Sequence, residues 1–318
     1  MESSDMFIQG QKVGKYKIIR SLGSGGFGAV FLAEDTWLNI RVAIKVPHKQ
    51  SVEIYKLLKE PRLQAALNHP NIVRMIAAEK EGKIFYMVME YIKGKTLEKI
   101  IEKEKIIKYE KTIDYITQIA GAASHAHKNK IIHRDLRPSN IMISEDEDKV
   151  KITDFGTSAW LNKLPYASTR IGSPPYMAPE QFLGKATFQS DIYSIGCIFY
   201  EMILGRPPIF DPDPFKILEK AKQGKITPPR IKNSHIPKEI DMIIMKCLSS
   251  KIEDRYQRAE EIIKDLEQYK GKDVEKSELL DIRKRIEARE NRRDSLCWNC
   301  RKPLPYKSKK CPYCGEEN

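Results

Sequence analysis

Residues 131–156 read IIHRDLRPSNIMISEDEDKVKITDFG, a run in which short apolar pieces alternate with polar turns. Ile131-Ile132, Ile141 to Ile143 and Val150 to Ile152 read as buried strand pieces, which leaves Asp135, Asn140 and Asp154 on the turns that link them. Carboxylates on rigid turns suit a metal-nucleotide site. Hard oxygen ligands hold Mg²⁺, while a separate carboxylate free of metal orients an attacking hydroxyl and accepts its proton. The two jobs need two Asp residues.

Working outward toward the N-terminus, Tyr16 to Leu22 has strand character and leads through Gly23-Ser24-Gly25-Gly26-Phe27-Gly28 into the apolar run Ala29 to Ala33. Glycines at 23, 25 and 28 permit a tight turn and a close backbone approach to phosphates, where a Cβ would obstruct. A dinucleotide fold would place a helix after such a turn. The following segment here reads as a second strand, so a hairpin is expected. Val42-Ala43-Ile44-Lys45 is a further strand with a single lysine, and a helix is expected over 52–67, closed by Asn68-His69-Pro70. Pro61 follows Glu60 within it. Either the helix starts late, with Pro61 in its first turn, or it bends there, because proline lacks the N–H that a helix interior uses.

These motifs in this order resemble the eukaryotic-type Ser/Thr protein kinase superfamily over about residues 14–270. The resemblance implies a bilobal α+β fold, with a β-rich N-lobe and an α-rich C-lobe, and binding of ATP and Mg²⁺ between them. It implies Gly23, Gly25 and Gly28 over the phosphates, Val30 near the adenine, Lys45 on the α- and β-phosphates with Glu60 as its partner, and Glu90 to Ile92 as the adenine-reading hinge behind Met89. Asp135 becomes the catalytic base, Asn140 and Asp154 the Mg²⁺ ligands, and His133 a packed spine residue. Arg137 stands where the Ser/Thr pattern has Lys; it keeps a positive charge near the γ-phosphate, on a planar group that is not interchangeable with an ammonium. The polar stretch 157–173 resembles an activation segment, with Ser168 and Thr169 as candidate self-phosphorylation sites whose phosphate would pair with Arg134. Glu180 would pair with Arg255 structurally, and Asp191 would prop the catalytic loop. Pro138 and GSPPYMAPE point to Ser/Thr substrates.

Helical patterns recur in the second half. Tyr109 to Lys128 has apolar residues at Ile113, Ile116, Ala120 and Ala123, a stripe for the core of the larger lobe, and Ser190 to Leu204 is apolar almost throughout. His125 and His127 fit structural or exposed positions, since no spacing suggests a ligand pair. Residues 1–14 read as a loose arm, 15–270 as the kinase-like domain, 271–294 as a charged helical linker with a thin stripe at Leu279, Ile282 and Ile286, and 295–318 as a separate small module.

That module carries Cys297-Trp298-Asn299-Cys300 and Cys311-Pro312-Tyr313-Cys314, two CxxC turns separated by ten residues. Four thiolates at this spacing suit one structural Zn²⁺. A segment so short buries too little apolar surface to fold alone, so the metal would supply the folding energy. The module resembles a zinc ribbon, and all-cysteine coordination leaves no open position for catalysis. Trp298, Tyr306, Tyr313 and the lysines at 307, 309 and 310 would offer a nucleic-acid surface, although basic residues also offset the charge of a zinc tetrathiolate; a protein-interaction role is favoured.

The bulk properties are those of a soluble globular chain: 318 residues, 41% hydrophobic, 31% charged and a formal charge of +13, which favours acidic partners without choosing among them. No apolar run reaches membrane-spanning length and no secretory signal is visible at MESSDMF, so a cytoplasmic location is expected. The expected activity is ATP- and Mg²⁺-dependent phosphoryl transfer to Ser/Thr hydroxyls of a protein. Two rivals are a pseudokinase scaffold and a nucleic-acid or protein binder acting through its ribbon.

Overall fold

The computed structural model describes residues 7–26, 28–48, 50, 53–155, 173–271, 284, 295–304 and 308–317. The chain divides into two compact units, Met1–Leu266 and Glu267–Asn318.

The first unit opens with a six-stranded sheet of order β1-β2-β3-β4-β6-β5: β1 (Lys12–Val13), β2 (Tyr16–Gly25), β3 (Gly28–Asp35), β4 (Ile40–Pro47), β5 (Met75–Glu81) and β6 (Ile84–Glu90). All its pairings are antiparallel. β-Branched and aromatic side chains, which pack well on a pleated surface, supply its core: Tyr16, Ile18, Phe31, Val42, Ile44, Val46, Tyr86 and Val88 cluster together. Phe7 joins that cluster, its ring 5.5 Å from Phe31 and 6.1 Å from Tyr86. The loose arm expected over residues 1–14 is therefore packed from Phe7 onward, because one buried aromatic anchors it.

Local turn chemistry sets the hairpins. The Asp35 carboxylate accepts from the N–H groups of Trp37 and Leu38 at 3.0 and 3.2 Å, a turn cap that aspartate forms readily. Gly82 takes a φ of +58° between β5 and β6. The first strand of that pair starts at Met75, and Ile72, just before it, makes a lone bridge to Ile152.

Two short helices, α1 (Ile54–Leu57) and α2 (Lys59–Ala65), replace the single one expected over 52–67. Pro61 is the third residue of α2, inside the first turn, where an N–H has no partner within the helix in any case. The helix thus begins at Ile54, is interrupted at Leu58 and resumes with Pro61 in the first turn of α2.

A small sheet joins β7 (Gly94–Thr96), β8 (Ile141–Ser144) and β9 (Val150–Ile152). Around it stand α3 (Leu97–Glu104) and α4 (Tyr109–Lys128), which buries the expected stripe of Ile113, Ile116, Ala120 and Ala123. After α5 (Pro179–Phe182) comes α6 (Phe188–Leu204), with thirteen of seventeen residues buried. A helix apolar on every side belongs at the centre of a helical lobe. Then follow α7 (Pro214–Lys222), α8 (Pro229–Lys232) and α9 (Lys238–Cys247). Gly196 lets α9 come close to α6: a Cβ there would lie 2.6 Å from the Cβ of Cys247.

In the second unit, β10 (Ser295–Leu296) pairs with β11 (Pro303–Leu304), and Cys297, Leu304 and Cys311 form a small buried cluster. The charged helical linker expected over 271–294 lies outside the described residues save 271 and 284.

Candidate active site

Lys45 is carried on β4, opposite Val30 of β3 in register, so the two side chains share one face of the sheet. Its ammonium donates to Glu60 Oε1 at 2.8 Å and to Asp154 Oδ1 at 2.6 Å. Lys45 and Glu60 are both buried. Burial alone would drive the lysine's pKa down; the charges of Asp154 and Glu60 reverse this and raise it, so Lys45 stays charged. Burial likewise pushes the Asp154 carboxyl up, and the Lys45 charge and hydrogen bond bring it below the usual range. Glu60 is held above its usual range, by burial first. One cation thus faces two carboxylates.

The catalytic-loop candidates lie next to it. Asn140 donates through Nδ2 to the Asp135 carbonyl at 2.8 Å and to its Oδ2 at 3.0 Å, which leaves the amide oxygen of Asn140 as an acceptor. Asp135 is raised above the ordinary carboxylate range by burial, against the opposing charges of Arg137 and His133. Arg137 Nε stands 3.5 Å from Asp135 Oδ2. Arg134 and Asp154 both have positive φ, 65° and 63°. Such backbone costs on the order of 1–3 kcal/mol and persists only where surroundings enforce it. For Arg134 the enforcing group is Asp191 on α6, whose carboxylate accepts from the N–H of His133 at 3.0 Å and of Arg134 at 2.9 Å. Gln181 adds a hydrogen bond to the Arg134 carbonyl.

His133 accepts at Nδ1 from the Asp135 N–H (3.2 Å) and meets the Thr153 carbonyl through Nε2 (2.8 Å), which places the ring proton on Nε2. Its ring packs 4.5 Å from that of the fully buried Phe155. The expected spine position therefore holds, and the ring ties the loop carrying Asp135 to the one carrying Asp154.

The glycine turn is a hairpin, with Gly25 opposite Gly28. Gly25 has open space where a Cβ would go, whereas at Gly28 a Cβ would lie 2.3 Å from the Val46 carbonyl oxygen. Gly28 is thus required by strand packing, and the open positions lie nearer the tip. Glu90 ends β6 with its N–H on the Arg74 carbonyl at 3.0 Å, and its carboxylate takes Lys151 at 2.8 Å. Met89 is buried and Ile92 half-buried beyond it.

Farther off, Arg255 meets Glu180 with two parallel bonds of 2.7 and 2.9 Å, as expected. Its remaining N–H groups reach the carbonyls of Ser249, Gln189 and Ser250. Sequence reading gave His127 no particular role beyond a structural or exposed one; it sits 2.8 Å from Asp191, bracing the residue that braces the loop. No spacing could have flagged it, since the two are 64 residues apart. Ser168 and Thr169 lie outside the described residues.

In the second unit the sulfurs of Cys297, Cys300, Cys311 and Cys314 lie within 4.8 Å of one another, with close pairs at 3.5 and 3.6 Å. A tetrahedral zinc tetrathiolate with bonds of about 2.3 Å sets its sulfurs roughly 3.8 Å apart, so the four cysteines fit the ion. The two turns match in form: Arg301 N–H bonds to the Cys297 carbonyl and Gly315 N–H to the Cys311 carbonyl, each at 2.8 Å, and residues 301 and 315 have φ of 54° and 75°.

Residues 16–266 match the family model of the protein kinase domain. A probable serine/threonine-protein kinase of Clostridium acetobutylicum is 39% identical over 271 residues, 83% of this chain and 41% of that protein. The serine/threonine-protein kinase PrkC of Bacillus subtilis is 34% identical over 268 residues (82% and 41%), and PknB of Mycobacterium tuberculosis 34% over 265 residues (79% and 42%). The chain spans about two fifths of the length of these curated relatives.

Proposed function

We propose, on the premise that this chain belongs to the protein kinase family, that it transfers the γ-phosphoryl of ATP to serine or threonine hydroxyls of proteins. The observation that carries the reading is the buried Lys45 shared between Glu60 and Asp154, with Asp135 and Asn140 beside it. A charged, immobilised ammonium is the group that nucleotide phosphates require. Asp154 and the free amide oxygen of Asn140 are hard donors that fit Mg²⁺, which when bound neutralises phosphate charge. Asp135, aligned by Asn140, orients the acceptor hydroxyl and takes its proton, while Arg137 beside it favours the ionised carboxylate. Gly23, Gly25 and Gly28 cover the phosphates, Val30 borders the adenine, and Glu90 to Ile92 read its edge through the backbone. Phosphorylation of Ser168 or Thr169 by the chain itself, received by Arg134, belongs to the same reading.

ATP as substrate places the catalytic unit in the cytoplasm; no helix among the described residues is long and apolar enough to cross a membrane. The four-cysteine module holds one structural Zn²⁺ and binds protein.

The test is phosphate incorporation from labelled ATP with Mg²⁺, by the wild type and by Asp154→Ala, followed by site mapping. Label on Ser168 or Thr169 in the wild type alone supports the reading. Absence of label despite measurable ATP binding favours a scaffold that has lost transfer. One equivalent of zinc per chain by metal analysis, lost in Cys300→Ser, supports the metal assignment.

A further inference from the structure

We infer that His48 is a positioning residue that ties down the glycine turn and so sets how tightly nucleotide is held; the inference rests on the kinase reading above. His48 follows β4 immediately, three residues after Lys45. Its ring nitrogen Nε2 lies 2.7 Å from the carbonyl oxygen of Gly25, 23 residues earlier in the chain. A carbonyl accepts only, so the imidazole donates.

The placement of this bond matters because of what else holds the turn. The Gly28 limb is fixed by strand packing: Gly28 pairs with Pro47, Ala29 pairs with Val46, and the backbones approach so closely that a Cβ at Gly28 would overlap the Val46 carbonyl. Among the described residues the Gly25 limb has no such contact. A Cβ at Gly25 or at Gly26 would meet nothing within 4 Å. Beyond its pairing across the hairpin, that limb is connected to β4 by His48, which reaches past the intervening strand β3. The neighbouring chain is itself anchored, since Gln50 donates to the carbonyls of Pro47 and Phe85 at 2.6 and 3.1 Å and accepts from Phe85 N–H at 2.7 Å. The imidazole therefore bridges a fixed strand to the free limb of a turn whose backbone covers the phosphates. Ordering that limb before nucleotide arrives lowers the entropy lost on binding.

The effect expected from one partly exposed hydrogen bond is modest. His48→Ala, and the shape-preserving His48→Phe, weaken binding of a fluorescent ATP analogue and raise the KM for ATP about three- to tenfold, with kcat not reduced. His48→Gln, whose amide can donate, stays near the wild type. In the nucleotide-free protein, amide hydrogen exchange over residues 23–26 accelerates in the Ala and Phe variants and not in the Gln variant. Unchanged exchange overturns the tether. Faster exchange with unaltered nucleotide affinity, or a Gln variant as impaired as Ala, overturns its role in binding. A fall of kcat together with thermal stability would show a merely structural residue and also overturn it. Because the exchange measurement uses no nucleotide, failure of the kinase reading, seen as a wild type that binds no ATP, is told apart from failure of the tether.

Discussion

Two buried ion clusters in this protein are built on opposite principles. Arg255 and Glu180 balance one charge against one, and all the donors of the guanidinium are used, on the carboxylate and on three backbone carbonyls. Lys45 instead serves two carboxylates, Glu60 and Asp154. A balanced, saturated pair has nothing left to bind and acts as a strut between α5, which carries Glu180, and the chain that follows α9. On the proposed reading, a bound cation would face the carboxylates of the Lys45 group. The number of carboxylates each cation serves thus distinguishes the two clusters where burial alone does not.

The contrast is broken most directly at Arg255. Arg255→Ala leaves a buried carboxylate without its partner and lowers stability by about 3–5 kcal/mol, read as a drop in the urea midpoint. A loss under about 1 kcal/mol would show that the strut is dispensable. Asp154→Ala is expected to act the other way round, abolishing phosphate incorporation by roughly two to three orders of magnitude while the urea midpoint hardly falls, since Lys45 keeps Glu60. A collapse of both readouts would erase the distinction.

Acid titration sharpens the comparison. Burial would raise Glu180, but the hydrogen bonds and charge of Arg255 outweigh it and depress its pKa. Asp191 is depressed too, against burial, by the His127 hydrogen bond. A depressed carboxyl contributes stability that is present above its unfolded pKa and lost as pH falls through the folded one. Stability should therefore decline on acidification below the ordinary carboxylate range, and Glu180→Gln should flatten that decline in unfolding curves taken across pH. The smallest effect belongs to Arg137. Its charge opposes the raised pKa of Asp135, so Arg137→Gln should move the acidic limb of the kcat profile to higher pH, and Arg137→Lys should move it less. An unmoved limb would remove Arg137 from the proton's surroundings.

Much of the candidate site's geometry was legible because its members sit in short, fixed-spacing motifs. Asp135 and Asn140 are five residues apart, and their bond spans one turn. The glycine turn, the strand with Lys45 and the two CxxC turns are likewise local. Reading failed where a local pattern met a distant constraint. The helix expected over 52–67 divides before Pro61, and the N-terminal arm is packed from Phe7 because the sheet offers its ring a place among Phe31 and Tyr86. At Gly28 the Val46 carbonyl adds a packing reason for glycine that the motif alone does not show.

By itself the sequence determined the family and the residue types at the candidate site, since motif spacing is a property of neighbouring positions. Only the tertiary structure decided that Lys45 is shared between two carboxylates, that His127 backs Asp191, and that His48 reaches Gly25. Those contacts join residues 15 to 109 positions apart. They depend on how packed strands and helices bring side chains within about 3 Å, a distance at which hydrogen bonds form and which no linear spacing encodes.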